Sequence, residues 1–155
     1  MKRQGGFTLI EMVVVIVILG ILAVTAAPRF LNLQDDARAS SLQGLKGAID
    51  GAAAITYGRA AIEGQETVSS ATTTQGAIPI AFGYPQATSA ALNKVVNGLD
   101  DWKHDTSITG NKIAYTYKGN ASAGQCIVTY TQAVDENTPA KTEITFGAGC
   151  NAATN

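Results

Sequence analysis

The chain has 155 residues, a formal net charge of -1 and only 15% charged residues. A protein that grips phosphate backbones needs clustered Lys and Arg, so this balance excludes nucleic acid as a partner. The length fits one domain with one appended segment, and much of the 46% apolar content lies in the first thirty positions and in alanine.

The N-terminus has three parts. Lys2 and Arg3 form a short basic head, Gly5-Gly6 follow, and an apolar stretch from Phe7 to Ala27 precedes Pro28. As a helix rising 1.5 Å per residue, that stretch spans roughly 30 Å, the thickness of a bilayer's hydrocarbon core. Positive charge ahead of it keeps the head cytoplasmic and sends the remainder across the membrane. Two cleavage readings stand open. Thr25-Ala26-Ala27 resembles the small-residue site of an ordinary secretory signal, whereas a cut at Gly5-Gly6 leaves the whole helix on the mature chain. Glu11 is the one charge in the apolar run, and a carboxylate at a membrane helix centre costs roughly 2.5–3.5 kcal/mol on insertion scales.

The basic head, "GGFTLIE" and the apolar tail together resemble the class III signal of type IV pilins and their relatives. The resemblance implies that a prepilin peptidase cuts between Gly6 and Phe7 and methylates the new N-terminus at Phe7. It divides the chain into a leader (1–6), a transmembrane and assembly half of the first helix (7–27) and a periplasmic globular domain (28–155). It implies an inner-membrane precursor, handling by a pilus assembly machinery, and an extracellular homopolymer. Glu11 then acquires a physical role. The cationic amine of one subunit's Phe7 meets a neighbour's Glu11, offsetting desolvation and fixing the axial register. The fold implied is α+β, a long N-terminal helix packed on a small antiparallel sheet. Gly20 and Pro28 weaken that helix, and the segment between them resembles the one that melts in assembled pilins. Within the family, "PRFLNLQDDARASSLQGLKGAIDGAAAITYGRAAI" and "FGYPQATSAAL" resemble the mannose-sensitive haemagglutinin (MSHA) branch. That branch implies attachment, haemagglutination and biofilm formation, with host or surface glycans as candidate partners.

Beyond the span, Leu42, Leu45, Ile49, Ala52 and Ala53 recur at helical spacing, which predicts an amphipathic helix to about Ile62 with one face against a domain. Asp35, Asp36, Arg38 and Lys46 read as a solvated or subunit-facing surface. "TVSSATTTQG" reads as surface loop. A short helix is expected from about Thr88 to Val96, with Leu92, Val95 and Val96 inward and Asn97-Gly98 as its stop. Asp100-Asp101 lacks the spaced oxygen ligands of a calcium loop and reads as a solvated helix end. Trp102 reads as a core or loop anchor.

Three strands follow: Lys112–Lys118, with Ile113, Tyr115 and Tyr117 alternating against Ala114 and Thr116; about Gln125–Gln132; and about Lys141–Gly147. "DENTP" between the last two reads as a turn or loop, which makes them an antiparallel hairpin or near neighbours. Cys126 and Cys150 then fall at one end of that hairpin. With an N-terminal membrane signal, they predict an oxidising compartment and one disulfide, against the alternative of two unrelated thiols. Asn120-Ala121-Ser122 matches a glycosylation triplet, a weak signal.

One histidine, no serine–histidine partnership and no metal-spaced ligand cluster leave no enzyme, cofactor or metal expectation. A pseudopilin of type II secretion would share the N-terminus. Its major form typically lacks a late cystine and carries a calcium-binding C-terminal loop, so Cys126 and Cys150 weigh toward a pilus subunit.

Overall fold

The computed structural model describes residues 6–151, with side chains for 6–26 and 33–151. Its first element is α1, Leu9–Ile62, a single helix of 54 residues assigned as helical through both Gly20 and Pro28. The ring of Pro28 lies outside the described side chains. The apolar segment Leu9–Ala26 is long and apolar enough to cross a membrane and is wholly uncovered by the rest of the chain. From Ala39 onward one stripe of α1 sinks into the domain, with Leu42 and Ile49 at 0% exposure. The spacing expected from sequence is the buried stripe observed.

After α1 comes a small antiparallel sheet of three short strands, β1 (Ala71–Thr72), β2 (Pro79–Ala81) and β3 (Tyr84–Pro85). Phe82 and Gly83, both at positive φ, close the β2–β3 turn with the backbone twist that suits a two-residue hairpin. A Cβ on Gly83 would stand 2.7 Å from the Tyr57 ring, so only glycine allows the strand turn to lie against α1. "TVSSATTTQG" was expected to be loop throughout; Ala71 and Thr72 instead pair with Ile80 and Pro79. Two residues carry too little periodicity to announce a strand.

Helix α2, Ser89–Val95, begins at Thr88, whose hydroxyl accepts from the Ala91 amide at 3.2 Å. It ends at Val96, whose backbone is already extended, and left-handed Gly98, two residues on, opens the next turn. A short 3-10 turn, Leu99–Asp101, leads into β4 (Trp102–Asp105). The main sheet is antiparallel in the order β4-β5-β6-β7, with β5 at Lys112–Tyr117, β6 at Ile127–Thr131 and β7 at Lys141–Thr145. Tyr115 faces Val128, and Val128 faces Ile144. The expected hairpin is present. The fourth strand, β4, is a correction: "WKHD" is mostly polar and gives no alternation, and its place is set by pairing with β5.

The core gathers Leu42, Leu45 and Ile49 of α1, Leu92 and Val96 of α2, and Ile113, Tyr115, Val128 and Tyr130 of the sheet. Tyr130 is fully buried, and its hydroxyl donates to the Pro85 carbonyl at 2.7 Å, joining the two sheets. Burial pushes the Tyr130 phenol far above its ordinary pKa. A smaller cluster, Ala60 with Ile78 and Ile80, holds the end of α1 against the first sheet.

The alternation expected along β5 is incomplete, because Ala114 and Thr116 are buried as well. Residues 119–126 fold over that outer face. The Thr116 hydroxyl donates to the Cys126 carbonyl, and the Asn120 amide donates at 2.7 Å both to Thr116 Oγ1 and to the Gln125 carbonyl.

Candidate functional site

The predicted cleavage junction stands clear of the fold. Gly6 and Phe7 are exposed, ahead of the first residue of α1, and a Cβ on Gly6 would meet nothing within 4 Å. Of the leader, residues 1–5 lie outside the described residues. Thr8 is the N-cap. Its hydroxyl accepts from the Glu11 amide, while the Glu11 carboxylate accepts at 2.7 Å from the Thr8 amide and, at the same distance, from the Thr8 hydroxyl. This reciprocal pair is a capping box, satisfying amides that the helix start otherwise leaves open. Sequence reasoning missed it, although Thr-x-x-Glu ahead of an apolar run is its signature.

Glu11 therefore has a partner within its own subunit, and the carboxylate is anchored one turn from Phe7. The helix N-terminus adds partial positive charge there. A neighbour's amine would meet an oriented anion with lone pairs still free.

The second predicted pair is joined. Cys126 and Cys150 form a disulfide with a Cα–Cα distance of 5.8 Å, both residues at 0% exposure. Cys126 sits at positive φ, so β6 starts only at Ile127 and the expected strand loses its first two residues. The segment that follows β7 is held from below by α1. Arg38 donates to the Gly149 carbonyl at 3.2 Å, lies 4.6 Å over the Tyr117 ring centre and approaches Asp35 at 3.8 Å. Arg38 is thus half-buried structure rather than the solvated surface expected. Its guanidinium has both a carbonyl and an aromatic face to satisfy it.

A polar cleft of about 270 Å³ opens on the outer face of β4 and β5, among Lys103, His104, Asp105, Thr116 and Asn120. Asp105, Thr116 and Asn120 are committed to the fold, and Lys103 donates to the Asn120 carbonyl. The Asp105 carboxylate accepts from the Ser107 and Gly124 amides, and the bonds from Ser107 and then Gly124 hold its pKa below the ordinary aspartate range. Asn120 spends its donors inward, as described, and its oxygen accepts from Ser122. The Asn120 side chain of the glycosylation triplet is therefore on the inside of a turn, while Ala121 and Ser122 are exposed. Among the described residues there is no group of three His, Cys, Asp or Glu placed to hold a metal. Asp100-Asp101 lies in the exposed 3-10 turn.

Residues 1–27 match the prokaryotic N-terminal methylation motif. The chain is 47% identical over 53 residues to the type IV narrow pilus major component PilA5 of Thermus thermophilus, covering 34% of this chain and 46% of that protein. It is 41% identical over 76 residues to a fimbrial protein of Pseudomonas aeruginosa, covering 46% and 44%. It is also 46% identical over 43 residues to the type II secretion system core protein G of Pseudomonas aeruginosa, covering 28% and 30%. The chain thus spans less than half the length of the curated relatives it matches. No solved structure matches it. Methylation motif, uncovered apolar helix and α+β domain together make the chain similar to type IV pilins and their relatives, the sequence likeness lying in its N-terminal part.

Proposed function

We propose that this chain is the major structural subunit of a type IV pilus, polymerising through α1 after cleavage between Gly6 and Phe7 and methylation of Phe7. The observation that carries the reading is the uncovered length of α1. Leu9–Ala26 has no cover within the subunit, and its apolar surface needs either lipid or other copies of itself. The exposed face continues without charge into the domain: Gly44, Gly47, Gly51, Ile55, Gly58 and Ile62 recur every three or four residues. Lys46, Asp50 and Arg59 sit half-buried at its flanks. Each glycine inside a helix costs about 1 kcal/mol against alanine. Retaining four on a face with open space above them is consistent with close approach by other helices. Pairing of Glu11 with a neighbour's Phe7 amine would set the stagger. The stretch from Gly20 to Pro28 is helical in the lone subunit and is the segment we expect to extend in the polymer.

The precursor then resides in the inner membrane with its domain periplasmic, is cut by a prepilin peptidase and is drawn into the filament by the assembly machinery. The buried disulfide supports an oxidising compartment. The passages 28–62 and 82–92 favour the MSHA type, and with it attachment, haemagglutination, biofilm formation and glycans as partners.

A second reading, a pseudopilin of type II secretion, is favoured by the similarity to core protein G. The late cystine weighs against it. Negative-stain microscopy of cells with and without the gene separates the two, together with the intact mass of sheared material. Surface filaments that vanish with the gene are expected, built of a chain lacking Met1–Gly6 and carrying one added methyl group. Unchanged filaments with lost protein secretion would favour the pseudopilin, and a mature N-terminus at or beyond Pro28 would overturn both.

A further inference from the structure

Beside the last turns of α1 runs an apolar groove of about 160 Å³ whose floor includes Ala52, Ile55, Ile78 and Val95. It shares Ile55 and Arg59 with a wider, more open hollow that reaches Gly58 and Ile62. Ile55 and Ile62 are 70% and 89% exposed, so their apolar surface is uncovered within the subunit. Two cations edge the groove. Arg59 donates to the Gln75 carbonyl and Lys94 to the Ala77 carbonyl. Among the described residues neither makes an ion pair. Glu63 lies at the far end of the hollow, where its carboxylate accepts from the Thr74 amide. An apolar floor under two unneutralised cations fits an occupant that offers an apolar side chain followed directly by acids.

This chain carries such a segment elsewhere. In the turn between β6 and β7, Val134 is 48% exposed and is followed by exposed Asp135 and Glu136. The turn is preformed: Asp135 accepts from the Asn137 amide and the Thr138 hydroxyl, which leaves Glu136 projecting without a partner among the described residues. None of these residues lines the groove of their own subunit. The other exposed acidic pair, Asp100-Asp101, is followed by half-buried Trp102 and a lysine, so it offers neither a free apolar neighbour nor undiluted charge.

We infer that the groove receives the Val134-Asp135-Glu136 turn of a second copy of this chain, with Val134 over the Ile55, Ile78 and Val95 floor and Glu136 toward Lys94 and Arg59. Groove and turn are different surfaces, so the contact is heterologous. Repeated from copy to copy it gives an open helical array rather than a closed dimer. It rests on the polymer reading above and adds to it a contact made by the β6–β7 turn rather than by the membrane-spanning segment Leu9–Ala26.

The test is charge exchange in the full-length chain, expressed in cells that assemble it. Lys94→Glu and Glu136→Lys should each lower the yield of sheared filaments about tenfold, because like charges then face across the contact. The double variant should recover most of the wild-type yield. Membrane levels of disulfide-bonded subunit are followed in parallel, and Lys94→Gln with Glu136→Gln replaces the pair if either reversal fails to accumulate; each neutral variant should then lower yield more mildly, and the two losses should not add. Single variants without effect overturn the contact while wild-type filaments keep the polymer reading intact. A loss at Lys94 with none at Glu136 assigns the groove to another partner and equally overturns it, as does a double variant as poor as the sum of the singles. Absence of wild-type filaments would instead remove the reading on which the contact rests.

Discussion

Glu11 combines two roles that single substitutions can separate. As the third helical residue it closes a capping box with Thr8, and as a carboxylate one turn from Phe7 it is the proposed acceptor for a neighbour's amine. Glutamine serves a capping box as well as glutamate, so Glu11→Gln keeps the cap and removes only the charge. Glu11→Val removes the charge and the side-chain half of the box, leaving only the bond from the residue 11 amide to the Thr8 hydroxyl. Both variants should accumulate as folded, disulfide-bonded subunits, because the buried core begins only at Ala39. Filament counts by microscopy should be low for both, since an unpaired amine would enter an apolar bundle. Normal filaments from the Gln variant, with loss only in the Val variant, would assign the whole effect to the cap. Asp105 offers a second residue-scale test, by pH. Its pKa is depressed in the folded state, so the stability it adds is fully present above the ordinary aspartate range and is lost as pH falls through the folded value. Asp105→Asn should therefore lower the urea midpoint at pH 7, with the gap to wild type closing below roughly pH 4. A gap that is independent of pH would show that shape rather than charge holds the 119–126 cover.

At the scale of the element, α1 changes environment along its length. Its first half is apolar on every side, whereas its second half buries one stripe against the sheet and leaves an uncharged, glycine-rich face outward. A substitution on that outward face should therefore separate folding from assembly. The Cβ of residue 51 would meet nothing within 4 Å, and lysine is a better helix former than glycine. Gly51→Lys should leave thermal stability equal or slightly raised, while a charge on the packing face cuts filament yield severely. Normal yield would mean that this face looks outward in the assembly. Ile49→Ala, on the opposite side of the same helix, should do the reverse, destabilising the subunit by about 2–5 kcal/mol.

Across the whole molecule, the tail after β7 is fastened by the disulfide to Cys126, by the Arg38 clamp from α1 and by the Ala148 amide, which donates to Gln125 Oε1. A crosslink closing a loop of sequence separation 24 stabilises by roughly 3 kcal/mol in the chain-entropy view. Replacing both cysteines with serine should lower the unfolding free energy by about that amount. Two small hydroxyls would also be left in a site that is now fully buried, adding to the cost. Non-reducing peptide mapping of wild-type material should recover the Cys126–Cys150 peptide, and free-thiol labelling of both positions in sheared filaments would count against the bond. Arg38→Ala, which leaves the disulfide intact, should loosen the tail alone and raise proteolysis near Gly149.

Local chemistry by itself determined much of this protein. An apolar run of membrane length, a helical stripe ending near Ile62, a Thr88-capped helix and a hairpin spanning "DENTP" each depend on neighbours within one or two turns. Those signals are written in order along the chain. The Thr8–Glu11 box is equally local, since Thr-x-x-Glu ahead of an apolar run is its signature. Tertiary structure decided the rest. β4 forms because β5 offers an edge for "WKHD", and Ala114 and Thr116 are buried because residues 119–126 fold back across them. Arg38 leaves the surface because Gly149, 111 residues away, supplies a carbonyl and Tyr117 a ring face. Long-range pairing places groups together that sequence spacing cannot relate, since its cost is the closure of a loop and its reward appears only when both ends have already met.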